Sequence, residues 1–220
     1  MEIGERIHRL KSELPENVRL LAVSKFHPES VIMEAYEAGQ RIFGENRVQE
    51  LLPKYAHLPK DIEWHFIGHL QANKVKLIAP FIHTIQSIDS LKLAETVDNE
   101  AGKSNRKIRI LLQIHIAQEE QKFGFSYEAA EELLKSGAIR SMNHLELCGL
   151  MAMATLTDNP AQIHREFHQL HSFFQHIKSA HFASAHSFNE ISIGMSDDYL
   201  IAVEEGSTMI RIGSRLFGPR

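Results

Sequence analysis

The chain has 220 residues, with 24 Lys plus Arg against 28 Asp plus Glu, and a formal net charge of −4. A hydrophobic content of 43% and a charged content of 24% describe an ordinary globular chain with material for a sizeable core. A pI near 6.4, no apolar run of ~18 residues, an N-terminus (MEIGERIHRL) without a signal-peptide core and a lone cysteine, Cys148, exclude whole classes. These are a general nucleic-acid binder, a membrane protein, a secreted disulfide scaffold and a cysteine-based zinc cluster. We expect a cytoplasmic protein, monomeric, with neither nucleic acid nor membrane among its partners.

No low-complexity tract, charge block or linker divides the chain, so a single domain over residues 1–220 is expected. The first segment carries a weak helical stripe of Ile3, Ile7 and Leu10. Eight short apolar, β-branched runs follow and read as strands: Arg19 to Ser24, Arg41 to Gly44, Ile62 to Ile67, Ile82 to Ile85, Ile108 to Ile116, Leu145 to Met151, Glu190 to Ile193 and Thr208 to Ile212. The intervening segments read as helices. Pro28 suits a first helical turn, Asn159-Pro160 a cap and first turn, and Gly39, Gly102, Gly137 and Gly206 the left-handed position after a helix. Ile163, Phe167, Leu170, Phe174 and Ile177 form the clearest helical stripe. Eight β-then-α units predict an α/β protein, a single (β/α)8 barrel. After the eighth strand only SRLFGPR remains, so the extra N-terminal helix is expected to cover the last outer face. An open doubly wound sheet is the alternative, weakened because no GxGxxG follows any strand.

Barrels of this class place their chemistry where the strands end, and phosphate after strands seven and eight. Lys25 is the first charged residue after LLAVS. Desolvation at a barrel mouth favours a neutral amine, a nucleophile toward aldehydes. Strand seven leaves through ISIGMSDD, with Gly194, Ser196 and Asp197 or Asp198 as a cap. Strand eight leaves through RIGS, where Gly213 and Ser214 open a turn whose N–H groups suit an anion. A nucleophilic lysine beside phosphate-binding residues points to a phosphorylated aldehyde, pyridoxal 5′-phosphate foremost.

The motifs LLAVSK, GQRIFGENRVQE, WHFIGHLQANK, the GLM after Cys148 and ISIGMSDDYLIAVEEGSTMIRIGSRLFG resemble the pyridoxal phosphate homeostasis protein family, whose fold is like the N-terminal barrel of alanine racemase. The resemblance implies that Lys25 holds the cofactor as an internal aldimine and that Asn46 lies beside its ring. It also implies that Ser196, Gly213 and Ser214 cradle the phosphate and that Arg211 faces the pyridine nitrogen. The implied role is vitamin B6 homeostasis, with apo-enzymes that use the cofactor as recipients. The chain departs from the family pattern at Phe26, where threonine is usual and the entrance is expected to narrow, at His69, where proline is common, and at Ser214, where threonine is frequent.

An arginine at the ring nitrogen disfavours its protonation and weakens the cofactor as an electron sink. Racemisation needs a base on each face of the substrate, and the racemase draws its tyrosine from a second domain. Here Tyr36, Tyr55, Tyr127 and Tyr199 all fall in expected helices or their first turns, and the chain stops after the barrel. A cofactor holder without robust catalysis, and so not an enzyme, is therefore expected. A low-activity racemase or related enzyme is the alternative, and a phosphosugar-binding barrel that leaves Lys25 unmodified is a third reading. Among the 14 histidines, His164, His168 and His171 share a helical face, read as a solvated flank in preference to a metal site. Trp64 and His65 are placed near the barrel mouth, with contact to the cofactor or packing both open. Lys74 and Lys122 are read as loop lysines, and Cys148 as an inert buried thiol.

Overall fold

The computed structural model describes residues 2–118 and 123–218. In chain order the elements are α1 (Ile3–Glu13), β1 (Arg19–Val23), α2 (Glu29–Glu37), β2 (Ile42–Glu45), α3 (Val48–His57), β3 (Glu63–Phe66), α4 (Val75–Ile78), β4 (Thr84–Ile88), α5 (Leu91–Lys103) and β5 (Ile108–Ile114). There follow α6 (Tyr127–Lys135), β6 (Leu145–Ala152), α7 (Pro160–His181), β7 (Glu190–Ser192), α8 (Tyr199–Glu204), β8 (Met209–Ile212) and α9 (Ser214–Phe217). The strands close into one barrel in sequence order, every neighbouring pair parallel, including β1 with β8. This is the expected (β/α)8 barrel.

All eight expected strands form, with ends shifted by up to three residues. The fourth moves most, from Ile82–Ile85 to Thr84–Ile88, because the Ile82 N–H completes the preceding turn on the Ile78 carbonyl at 2.8 Å. The fifth stops at Ile114 because His115 and Gln113 bond back to Phe125 as the chain returns. Pro28 caps α2 from just outside it instead of sitting in its first turn, whereas Asn159 Oδ1 caps α7 as expected, accepting from Ala161 N–H at 3.1 Å. Gly39, Gly137 and Gly206 adopt positive φ after helices. Gly102 does not. It lies inside α5 against the His144 ring, and Asn105 (φ 50°) takes the left-handed turn.

Alternation along each strand sorts side chains into two environments. Leu20, Ala22, Trp64, Phe66, Ile108, Ile110, Ile210 and Ile212 face outward and pack with the helices in one continuous apolar layer. Burial of the Ile7 and Leu10 stripe seats α1 in that layer, and Arg6 Nη1 donates to the Leu216 carbonyl at 3.2 Å. So α1 covers the face beside the four-residue α9. The inward set holds two small apolar clusters, Leu21–Val23–Met209 and Leu111–Cys148–Met151, among polar residues. Cys148 and Met151 are three apart yet share the inner face because β6 carries a bulge there, seen as a register shift against β5 between Ile110 and Leu111.

Gly149 makes that bulge possible. A Cβ on it would lie 1.8 Å from the Glu190 carbonyl oxygen. Gly149→Ala should cost about 2–5 kcal/mol from overpacking plus backbone strain. At roughly 2–4 °C per kcal/mol that lowers Tm by on the order of 10 °C. Gly39→Ala, whose Cβ would meet open space, should cost only the left-handed penalty of about 1–2 kcal/mol. Equal losses of Tm in the two variants would refute this account of the bulge.

Candidate functional site

The sequence-assigned residues leave four consecutive strands. Around the barrel, β2, β1, β8 and β7 are neighbours, and their C-terminal ends carry Asn46, Lys25, Gly213 with Ser214, and Ser196. The register of β1 on β8 sets Gly213 beside Val23, with its would-be Cβ 3.5 Å from the Val23 side chain. Closure of the barrel thus brings the two ends of the sequence to one rim.

Lys25 is half-buried and follows Ser24, which is wholly buried. Ser24 Oγ donates to Glu45 Oε1 at 2.6 Å, and Lys54 Nζ from α3 donates to the same oxygen at 2.6 Å and to the Ser24 carbonyl at 2.9 Å. A buried ion pair therefore fastens the loop that presents Lys25. Burial pushes the Glu45 carboxyl up from its ordinary range, with the Lys54 charge and the two hydrogen bonds pulling the other way. Phe26 takes a left-handed conformation (φ 68°), its N–H held by Glu50 Oε2 at 2.9 Å. Its ring is 52% exposed, with the Arg47 guanidinium 5.3 Å over it, which places it at the α3 side of the rim.

Asn46 Oδ1 is buried and has no hydrogen-bond partner among the described residues. Its backbone packs on Gly68, where a Cβ would come within 2.4 Å of the Asn46 carbonyl oxygen. Across the rim, Gly194 (φ 92°) is pressed on Ala202, and Asp198 Oδ1 accepts from the Met195 N–H at 2.5 Å, shaping the loop that carries Ser196. Asp198 precedes α8 but makes no side-chain cap bond to it; burial holds its carboxyl above the usual range. Arg215 Nε donates to the Ser196 carbonyl, tying the β7 exit to the opening turn of α9. There Ser214 is exposed and Gly213 half-buried. A cavity of about 320 Å³ adjoins Asn46, His69 and Lys74, and one of about 520 Å³ lies between the β6 and β7 exits, lined by Met195 and Asp198.

Beneath the rim, Arg211 points into the barrel and is 4% exposed. Nη1 donates to the Ser192 carbonyl at 2.6 Å and to Ser192 Oγ at 2.8 Å, and Nη2 to the Ala152 carbonyl at 2.9 Å. Burial lowers its pKa to about 10, so it stays cationic at neutral pH. Three of its five N–H bonds are thereby accounted for. Ser192 Oγ donates in turn to Gln86 Oε1 at 2.7 Å, and Gln86 Nε2 lies 2.8 Å from His65 Nδ1.

That chain corrects the expectation for His65. It is fully buried inside the barrel, well below the rim, while Trp64 faces the outer helices. His69 does face the rim, 3.0 Å from Asp89 and stacked on Phe123. His164 and His168 each bond Glu205, the residue that ends α8, at 2.9 and 3.1 Å, and His171 bonds its carbonyl. They join two outer helices and are not a free flank. Cys148 is fully buried, its pKa pushed up to about 12 by burial. Lys122 lies outside the described residues. Glu45, Lys54, Gln86 and Ser192 escaped the sequence reading. Nothing local marks them, because each acquires its role from a partner on another strand or helix.

Lys54→Met should leave the Glu45 carboxylate buried without its partner and cost about 3–5 kcal/mol. The double variant with Glu45→Gln should recover most of it. Because the folded-state pKa of Glu45 is raised, its stability contribution is full below the unfolded pKa and is lost as pH rises through the folded one. The Lys54→Met deficit should therefore be largest at neutral pH and shrink on acidification. Thermal unfolding at the two pH values measures it, and a deficit independent of pH would remove Glu45 as its source.

Over residues 2–220 the chain matches the family described as alanine racemase, N-terminal domain. It is 39% identical over 214 residues to the pyridoxal phosphate homeostasis protein of Pasteurella multocida, covering 96% of this chain and 90% of that one. PipY of Synechococcus elongatus PCC7942, solved without pyridoxal phosphate, superposes with a TM-score of 0.93 at 38% identity, covering 99% of this chain and all of that one. With the cofactor bound, PipY superposes at 0.89. An alanine racemase of Clostridium difficile 630, at 12% identity and a TM-score of 0.78, shares the fold over 57% of its length. The chain belongs to the pyridoxal phosphate homeostasis proteins, within the family of the alanine racemase N-terminal domain.

Proposed function

We propose that this protein binds pyridoxal 5′-phosphate through a Schiff base to Lys25 and serves cofactor homeostasis in the cytoplasm, handing the cofactor to apo-enzymes without robust catalysis of its own. One observation carries the reading: four adjacent strand ends carry an amine, an amide, two hydroxyls and a helix-opening turn on one rim, with a buried guanidinium on the inward side of β8. That donor set fits the cofactor group by group. Lys25 offers the amine an aldehyde requires, and Ser196, Ser214 and the turn at Gly213 offer hydroxyls and N–H groups to a phosphate. The unpartnered Asn46 Oδ1 and the remaining N–H groups of Arg211 are polar functions that a ring with hydroxyl and nitrogen substituents would satisfy. The relative solved with pyridoxal phosphate bound supports the assignment.

When bound, the cofactor withdraws electrons from an attached amino acid, most strongly when its ring nitrogen is protonated. A cationic Arg211 at that nitrogen opposes protonation. Nor do the tyrosines supply an opposite-face base. Tyr36 bonds Asp61, Tyr55 stacks on Phe81, Tyr127 packs edge-on against Phe173, and Tyr199 is buried beneath Arg215. All four lie on the outer helices. We read the protein as a monomeric holder.

The purified protein incubated with the cofactor should absorb as a Schiff base, and borohydride should fix the cofactor to the peptide containing Lys25. Retention of that absorption by Lys25→Ala would sink the assignment. Pyridoxal without its phosphate should bind far more weakly. Ser196→Ala or Ser214→Ala should weaken the phosphorylated form roughly tenfold or more, as the loss of one hydrogen bond to a charged group implies. Incubation of the loaded protein with L-alanine and other amino acids should give no change of configuration at ordinary enzyme rates. Turnover near 1 s⁻¹ would establish an enzyme instead.

A further inference from the structure

At the opposite end of the barrel from Lys25, the start of β3 and the approach to β4 bring three metal-ligating side chains together. One ligand atom from each of Glu63, His65 and His83 lies within 4.8 Å of the others. The two imidazoles are stacked, with centroids 5.4 Å apart and planes 15° from parallel. His65 is fully buried; its Nδ1 is taken by Gln86, and its Nε2 has no hydrogen-bond partner among the described residues. A buried imidazole nitrogen without a partner costs free energy and calls for one. His83 repeats the arrangement: Nδ1 is 2.8 Å from Thr84 Oγ1, and Nε2 faces Glu63 Oε2 at 3.7 Å. Each histidine thus has one nitrogen fixed by a neutral polar side chain and the other turned toward the cluster, the arrangement that orients metal-ligating histidines.

The charged groups around the cluster are largely paired with one another. Glu190 accepts from Arg19 and Arg109, and Arg109 also pairs with Glu146 at 3.3 Å. The two guanidiniums are thus engaged by Glu190 and Glu146, which leaves Glu63 as the carboxylate facing the histidines. Glu63 and His83 are part-exposed, which provides an entry path and an open position for water. Tetrahedral zinc needs ligand atoms about 3.3 Å apart, from bonds of roughly 2.0–2.1 Å, a closure that those two part-exposed side chains can make.

We propose that Glu63, His65 and His83 form a binding site for a divalent first-row transition metal of the zinc class, which clamps the starts of β3 and β4. Two imidazoles and one carboxylate select zinc or cobalt over magnesium or calcium. With Nε2 of His65 on the metal, its Nδ1 carries the proton; the Gln86 amide then turns over so that Oε1 accepts from Nδ1–H and Nε2 donates to Ser192 Oγ, which reverses the direction of the Ser192–Gln86 bond.

The test uses the full chain stripped with a chelator. Zn²⁺ is added in a calorimeter, and Co²⁺ is followed by its visible absorption. The wild type should take up one tight equivalent, give tetrahedral cobalt bands and gain thermal stability with zinc. His83→Ala and Glu63→Gln, both at part-exposed positions, should melt like the wild type without metal. His83→Ala should weaken binding by at least the 10–100-fold that loss of a supporting contact already costs, and lose the cobalt bands. His164→Ala/His168→Ala, which removes the imidazoles on Glu205, should bind as the wild type does. The proposal fails if the wild type binds zinc no better than His83→Ala and Glu63→Gln, or if the α7 double variant abolishes the uptake.

Discussion

Four registered residue pairs between β1 and β8, Arg19–Met209 through Ala22–Ile212, join the start of the chain to its end. Every feature of the rim depends on them. They set the loop carrying Lys25 against the turn of Gly213 and Ser214. They hold Arg211 below both, and they leave no sheet edge for Asn46 or Ser196 to drift from. Parallel pairing at this sequence separation carries a large loop-closure cost, so it must be secured elsewhere. The continuous apolar layer between strands and helices supplies that security, with α1 seated over the face that the short α9 leaves open.

Stability and chemistry are accordingly separated. The outward side of each strand is almost wholly apolar, whereas the inward side carries Arg19, His65, Gln86, Arg109, Glu190, Ser192 and Arg211. Burying such groups is costly unless they are hydrogen-bonded. A continuous run meets much of that requirement, Arg211 to Ser192, Ser192 to Gln86 and Gln86 to His65, and leaves His65 Nε2 without a partner among the described residues. The run spans the interior from beneath the rim to the cluster at the opposite end, so the guanidinium under the candidate site is positioned by residues far from it in sequence. The ion pair of Glu45 with Lys54 plays the same part outside the barrel, holding the carbonyl and hydroxyl of Ser24 and through them the backbone entering Lys25.

The sequence by itself determined the eight strands, their alternation with helices, the covering role of the N-terminal helix and the residues at four strand ends. The reasons are local: β-branched runs, helical stripes and glycine punctuation each report on a few neighbouring residues. Strand ends were less legible, because the N–H of Ile82 and the backbone around His115 chose partners from other segments. Gly102 was misread because a space filled by the His144 ring has no mark in the local pattern. Only the tertiary structure decided that His65 lies inside the barrel, that His164 and His168 bind Glu205, and that Gln86, Ser192, Glu45 and Lys54 support the site. The bulge at Gly149 belongs with these. It turns Cys148 and Met151 to the same side, which strict alternation along β6 would not do. Alternation tells which two faces a strand has. Which face is interior, and what meets there, depends on the register of eight strands closing on one another.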